Sequence, residues 1–145
     1  MHLYTIGFTE KSAEEFFTLL QTANVRLVLD TRLNNRSQLA GFSKSRDLAY
    51  FLRVIGGIDY RHVEAMAPTA EMLELFRGSK DRWPEYEMSF RALLEQRRLA
   101  QAVQPAELDR ACLLCSEHTP EHCHRRIVAE YLRESFPEIE IMHLM

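Results

Sequence analysis

Apolar residues in this chain fall either into short continuous runs or into recurrences three to four positions apart, and the order of the two patterns predicts an α/β fold. Leu3-Tyr4-Thr5-Ile6, ended by Gly7, reads as a first strand. Ser12 to Glu15 has capping-box spacing, and Phe16, Leu19, Leu20 and Ala23 then recur at helical spacing. Val25 to Leu29, ending at Asp30, is a run of the kind found in strands buried on both faces. Strand, helix and strand in this order predict a parallel pair joined by a right-handed crossover.

The pattern then dissolves into a polar stretch from Thr31 to Ser37 that runs on to Phe42. A helix is expected from Arg46 to Ile55, stopped by Gly56-Gly57, followed by a short strand from Ile58 to Val63 with His62 on its polar side. Helical spacing fills Thr69 to Phe76 and Glu85 to Val103. Ala111 to Cys115 reads as another buried strand. Thr119-Pro120 reads as an N-cap followed by proline at the first helical position, which predicts a helix over 120–136, and Ile139 to Leu144 closes the chain as a strand. The sum is a three-layer α/β sandwich, a mostly parallel sheet of about five strands with helices on both faces. It is expected to form a single domain over residues 1–145.

Composition narrows the class without changing the fold. A chain of 145 residues, 46% hydrophobic and 27% charged, is long enough for one real core and too rich in apolar residues for disorder. No window approaches the apolar length that crosses a bilayer, and the first residues do not have the form of a leader, so a cytoplasmic protein without a membrane partner is expected. Three cysteines are an odd count that suits reduced thiols better than a disulfide framework. A net charge of −3 opposes a generic nucleic-acid coat, which needs a basic face.

In a parallel sheet, ligands bind outside the carboxyl ends of the strands. That rule gathers Gly7-Phe8-Thr9, the segment from Asp30 to Ser37, His62 with Glu64, and Cys115 to His118 at one edge. Cys115, expected next to a helix N-terminus, is the candidate nucleophile; the competing reading is a small buried hydrophobe that closes a strand. On a helical wheel Cys123, His124, Ile127, Val128, Tyr131 and Leu132 share one face, which turns His124 inward as a general base or as an orienting group bonded to a backbone carbonyl. Arg125 and Arg126 fall away from that face, one reaching back to an anion or both pairing in solvent with residues such as Glu130. Arg32 and Arg36 offer guanidinium forks, with Asp30 placed to orient one of them.

Cys112-x-x-Cys115 followed by His118, His122, Cys123 and His124 is rich in metal ligands. Residues three apart on a strand face opposite ways, however, so the pair cannot chelate as a zinc knuckle does. Cys115, His118 and Cys123 are the smaller set that remains, and neither a metal nor another cofactor is expected.

At these residues the chain resembles the domain of unknown function 488 family, DUF488. The likeness rests on Tyr4 to Gly7, on Asp30-x-Arg32 with Arg36-Ser37 following, and on the stretch from Leu113 to Arg125, which matches a Leu-Leu-Cys-x-Glu-x-x-Pro-x-x-Cys-His-Arg pattern in its order of residues. Phe8-Thr9 stands where the family often has His-Ser or Tyr-Ser, and the usual Leu-Gly-Gly is not evident near Ala65 to Pro68. The resemblance implies an α/β fold and supplies no reaction.

The expected function is therefore an enzyme acting on a phosphorylated or nucleotide-like small molecule. Cys115, Glu117 and His124 are its expected catalytic residues, and Thr9, Arg32, Arg36, Ser37, His62 and Arg125 its substrate-binding ones. The alternative is a non-catalytic module that binds a ligand or nucleic acid with the same arginine-rich edge. A third reading makes the final motif a conformational lock between strand and helix. The oligomeric state is not readable from the sequence.

Overall fold

The computed structural model describes residues 1–34, 41–76 and 80–145. Its centre is a five-stranded, wholly parallel sheet formed by β1 (His2–Gly7), β2 (Leu27–Asp30), β3 (Asp59–His62), β4 (Ala111–Cys115) and β5 (Glu140–Leu144), in the order β3-β2-β4-β1-β5. Around it lie α1 (Ala13–Thr22), α2 (Ser45–Gly56), α3 (Ala70–Phe76), α4 (Trp83–Gln96), α5 (Leu99–Ala102), α6 (Pro105–Leu108) and α7 (His124–Ser135). Among the described residues, no helix is long and apolar enough to cross a membrane.

Local signals explain many of the boundaries. The Ser12 side chain accepts the Glu15 N–H at 3.1 Å and caps α1. Gly57 ends α2 in the left-handed region at φ 62°, where glycine carries no Cβ penalty. The helix expected over 85–103 is instead broken: Arg98 adopts φ 55° and separates α4 from α5, without a glycine or proline to announce it.

The expected β1–β2 pair does not form. The strands are parallel, but β4 lies between them, pairing Gly7 with Cys115 on one side and Asp30 with Leu114 on the other. Both neighbours of β4 are apolar runs, and local pattern does not distinguish one buried partner from another.

Alternation along the strands builds two cores. Leu3, Leu27, Leu29, Ala111 and Leu113 face Phe90 and Leu94 of α4 and Ile127, Val128 and Leu132 of α7. Tyr4, Ile6, Val28, Cys112 and Leu114 face Phe16, Phe17 and Leu20 of α1 and Leu48 and Leu52 of α2. The connections leaving β1 and β2 therefore lead to helices on one face, whereas the connection leaving β4 leads to α7 on the other. Such a switch is where open α/β sheets place ligands, and Cys115 is the last residue of the strand at its centre.

Candidate active site

The chain between β4 and α7 is not the start of a helix. α7 begins at His124 with Cys123 as its N-cap, and Cys123 N–H closes a turn onto the Pro120 carbonyl at 3.2 Å. The proline thus sits in a turn, one of the two places where its fixed φ is at home, four residues before the helix. This corrects the expected helix over 120–136, and with it the idea that a helix dipole at residue 120 activates Cys115.

Arg125 is also corrected. Far from pointing away, it is 0% exposed and heads the largest fully buried side chains. It reaches back beneath the connecting loop, where Nη1 donates to the Glu117 carbonyl at 2.7 Å and Nη2 to the His118 carbonyl at 3.3 Å. Among the described residues no carboxylate pairs with it, and its Nε–H has no acceptor. Arg126 does lie toward solvent and pairs with Glu87 and Glu130.

The loop so held is pressed onto β1. Thr9 N–H donates to the Ser116 carbonyl at 3.1 Å, and the Thr9 carbonyl meets His118 Nδ1 at 3.1 Å. A Cβ at Gly7 would stand 1.6 Å from the Glu117 carbonyl oxygen. Only glycine allows this approach, so Gly7, read from sequence as a strand stop, is also a seat for the loop.

These contacts shape the surroundings of the Cys115 thiol. Burial by itself pushes it up. A hydrogen bond from Cys123, the charge of Arg125, and the backbone N–H groups of Ser116 and Glu117 outweigh burial and hold Cys115 below its ordinary value. Cys123 moves the opposite way, pushed well up by burial and by its bond to Cys115. Cys112 faces the other core, where burial raises it. The two neighbouring thiols are thus shifted in opposite directions, Cys115 down and Cys123 up.

His124 is 9% exposed and belongs to the same cluster. Its Nε2 lies 2.7 Å from the Thr31 carbonyl, which fixes Nε2 as the protonated nitrogen, and Thr31 Oγ1 in turn donates to the Leu114 carbonyl at 2.8 Å. Of the two roles open to it from sequence, the observed contact is the bond to a backbone carbonyl. Cys115 Sγ is almost equidistant from its two ring nitrogens, 3.4 Å from Nδ1 and 3.7 Å from Nε2. The sulfur therefore lies against the face of the imidazole and not in line with a nitrogen lone pair, an arrangement unsuited to direct proton transfer.

The same geometry bears on metal binding. Cys115, Cys123 and His124 bring ligand atoms within 4.8 Å of one another, with His124 in place of the expected His118. His118 faces Glu10 and Lys11 instead. A metal ion needs lone pairs that converge, and the His124 ring presents its face to the sulfur while Nε2 is committed to Thr31.

A second cluster forms at the end of β2. Arg32 Nε and Nη2 clasp Asp30 at 2.9 and 2.7 Å, Nη2 also donates to the Ser43 carbonyl, and Tyr60 O–H donates to Asp30 at 2.5 Å. Burial raises the Asp30 carboxyl, but the Arg32 contacts and Tyr60 prevail and hold it below the usual value. The guanidinium carbon is 5.3 Å from the centre of the Phe8 ring, and Nη1 alone is buried without an acceptor. Arg32 is thus largely spent inside the protein, with one donor unused. His62 Nε2 lies 2.7 Å from the Arg32 carbonyl. Arg36 and Ser37 lie outside the described residues.

Beside this cluster opens a pocket of about 460 Å³ lined by Leu33, Asn34, Ser45, Arg46, Tyr60, His62 and Glu64. Cys115, Glu117, His124 and Arg125 do not line it. The Glu117 and Thr9 side chains are exposed, and the observed contributions of both residues come from the backbone. Sequence reasoning missed Gly7 as a seat, Thr31, Tyr60, Arg46 and the role of Cys123. The full burial of β2 and the Cys-His-Arg triplet were the signals available for Thr31 and Cys123.

The model of the family described as "Domain of unknown function DUF488" matches residues 12–132. The matched span holds Asp30-x-Arg32 and the entire Cys115-to-Arg125 segment, while Tyr4 to Gly7 lies before it. No curated protein and no solved structure matches the chain.

Proposed function

The chain belongs to the DUF488 family, and we propose that it is an enzyme whose nucleophile is the Cys115 thiolate and whose substrate is a small anionic molecule of the phosphorylated or nucleotide-like kind. The observation that carries this reading is the wholly buried Arg125 with no carboxylate partner among the described residues, beside a thiol held below its ordinary value. A buried guanidinium is costly unless a negative charge meets it, and the Cys115 thiolate supplies that charge. A lowered thiol value raises the fraction of Cys115 present as the nucleophilic thiolate.

Three further features support an anionic substrate. Arg125 Nε and Arg32 Nη1 are buried donors without acceptors, and native proteins leave few such groups unpaired. The loop N–H groups of Ser116 and Glu117 already turn toward a negative sulfur, and they are the kind of donor that stabilises charge developing on a bound group. Lys11, 9% exposed, adds a third cation near Arg125, and burial followed by Arg125 lowers its pKa. In this scheme the charge of Arg125 and the loop amides favour the thiolate, His124 fixes the chain around it, and the exposed Glu117 is the candidate proton donor or acceptor.

The test is turnover of a panel of phosphate esters and nucleotides by wild type and by Cys115→Ser, with intact-mass detection of a covalent adduct. The reading expects an activity that Cys115→Ser abolishes and an adduct on Cys115. An activity that survives the substitution overturns it.

The position of the open pocket favours a second reading, a ligand-binding module centred between β2 and β3. That reading predicts binding that persists in Cys115→Ser and is lost in Arg46→Ala and His62→Ala.

A further inference from the structure

The Cys123 thiol is not needed to hold a substrate, yet it is 2% exposed and has its sulfur within 4.8 Å of the Cys115 sulfur. A thiolate with a second thiol in contact and a cation alongside is the arrangement that lets oxidation stop at a disulfide. Arg125, wholly buried and without a carboxylate partner among the described residues, sets a positive charge near this pair of sulfurs.

We propose that Cys115 and Cys123 form a reversible dithiol–disulfide pair, in which a hydroperoxide oxidises Cys115 and Cys123 resolves the product. The Cys115 thiolate attacks the distal peroxide oxygen and the O–O bond breaks. Cys115 becomes a sulfenic acid, and the peroxide leaves as an alcohol or water after taking up one proton. The Cys123 sulfur then attacks the sulfenic sulfur, an S–S bond forms, and the hydroxyl leaves as water with the Cys123 proton. The peroxide is reduced by two electrons, and the two thiols supply them.

The fold supports the step in two ways. Cys123 is the N-cap of α7 in extended conformation, φ −136° and ψ 138°, at the junction of loop and helix, so it can follow a movement of the loop without unwinding the helix. Cys112 lies three strand positions before Cys115, so it faces the other side of the sheet and belongs to the core packed under α1 and α2. It cannot compete for the sulfenic acid, which makes it an internal control.

A closed disulfide would remove the nucleophile, so the pair would switch off the activity proposed above. The inference rests on that reading only for the ionised state of Cys115.

The experiment treats the reduced full chain with stoichiometric hydrogen peroxide and maps the products by peptide mass spectrometry. The expected product is a Cys115–Cys123 linkage with loss of two hydrogens, restored by a dithiol reductant. In Cys123→Ser the same treatment should stop at Cys115 oxygen adducts, and in Cys112→Ser the linkage should form as in wild type. Oxygen adducts at Cys115 without a linkage in wild type, or a linkage that includes Cys112, overturn the proposal. Diamide, which needs no peroxide attack, separates the two ideas. If diamide forms the linkage but peroxide does not, the peroxide step fails, because diamide also requires a thiolate and shows that the two sulfurs can pair. If neither reagent forms it while Cys115 still ionises early, the pairing alone fails.

Discussion

Arg125 is a fully buried guanidinium with no carboxylate partner among the described residues, and its charge helps to hold the Cys115 thiol below its ordinary value. The pair depends on the loop between them. Arg125 anchors the carbonyls of residues 117 and 118, and the backbone N–H groups of 116 and 117 in the same loop help to lower the Cys115 thiol.

Replacing Arg125 tests both halves. Arg125→Met keeps much of the volume and removes the charge, so Cys115 should titrate closer to an ordinary thiol. Two hydrogen bonds to loop carbonyls are lost, and chemical denaturation should show a loss of about 1–3 kcal/mol.

Gly7→Ala tests the seat. The added methyl would collide with the Glu117 carbonyl at 1.6 Å, so the loop must lift from β1. We expect destabilisation of about 1–3 kcal/mol by thermal or chemical unfolding. Faster alkylation of Cys115 should accompany it as the cover loosens. Unchanged alkylation and unchanged stability would contradict the close approach.

Asp30 and Arg32 make the second prediction about charge. Asp30 is 0% exposed and its carboxyl is held below the usual range, so its contribution to stability is fully present above the unfolded value of about 3.9 and is lost as pH falls through the lower folded value. Asp30→Asn leaves Arg32 as an uncompensated buried charge and should cost about 3–5 kcal/mol at neutral pH. Its deficit against wild type should shrink below pH 4, which paired urea titrations across the acid range would measure.

Much of this fold was legible from local pattern. Five strands, the Ser12 cap and the Gly57 stop all follow from runs and capping residues that act within a few positions. Strand order did not follow. The runs at Leu27–Asp30 and Ala111–Cys115 are equally apolar, and only long-range packing decides that one lies beside β1 and the other does not. Thr119-Pro120 carries the chemistry of a helix start and also that of a turn, and the turn prevails because Arg125 holds the loop carbonyls inward. Arg125 itself was misplaced for a clear reason. A wheel assigns arginine to solvent unless an acidic partner is in view, and here the partners are the carbonyls of Glu117 and His118, which only the folded loop brings into reach. The convergence of β-strand ends at one edge was correctly anticipated, whereas the inward bond of His124 to Thr31 needed coordinates to separate it from general-base catalysis.

Tyr60→Phe separates the two clusters. It removes one donor from Asp30 and alters the wall of the pocket, but it leaves the Cys115 loop untouched. Stability should fall by about 1–3 kcal/mol, as for a hydrogen bond to a charged group, while the ionisation of Cys115 should not move. A change in Cys115 titration would mean that the clusters are coupled.

The most direct test of the account is the ultraviolet thiolate absorbance of the native protein followed against pH, with Cys115→Ser as the blank, because it reads ionisation without requiring a reagent to reach the buried sulfur. The account predicts a Cys115 transition below the ordinary thiol value of about 8.5, shifted upward in Arg125→Met. A transition at or above the ordinary value, unchanged by Arg125→Met, would contradict it.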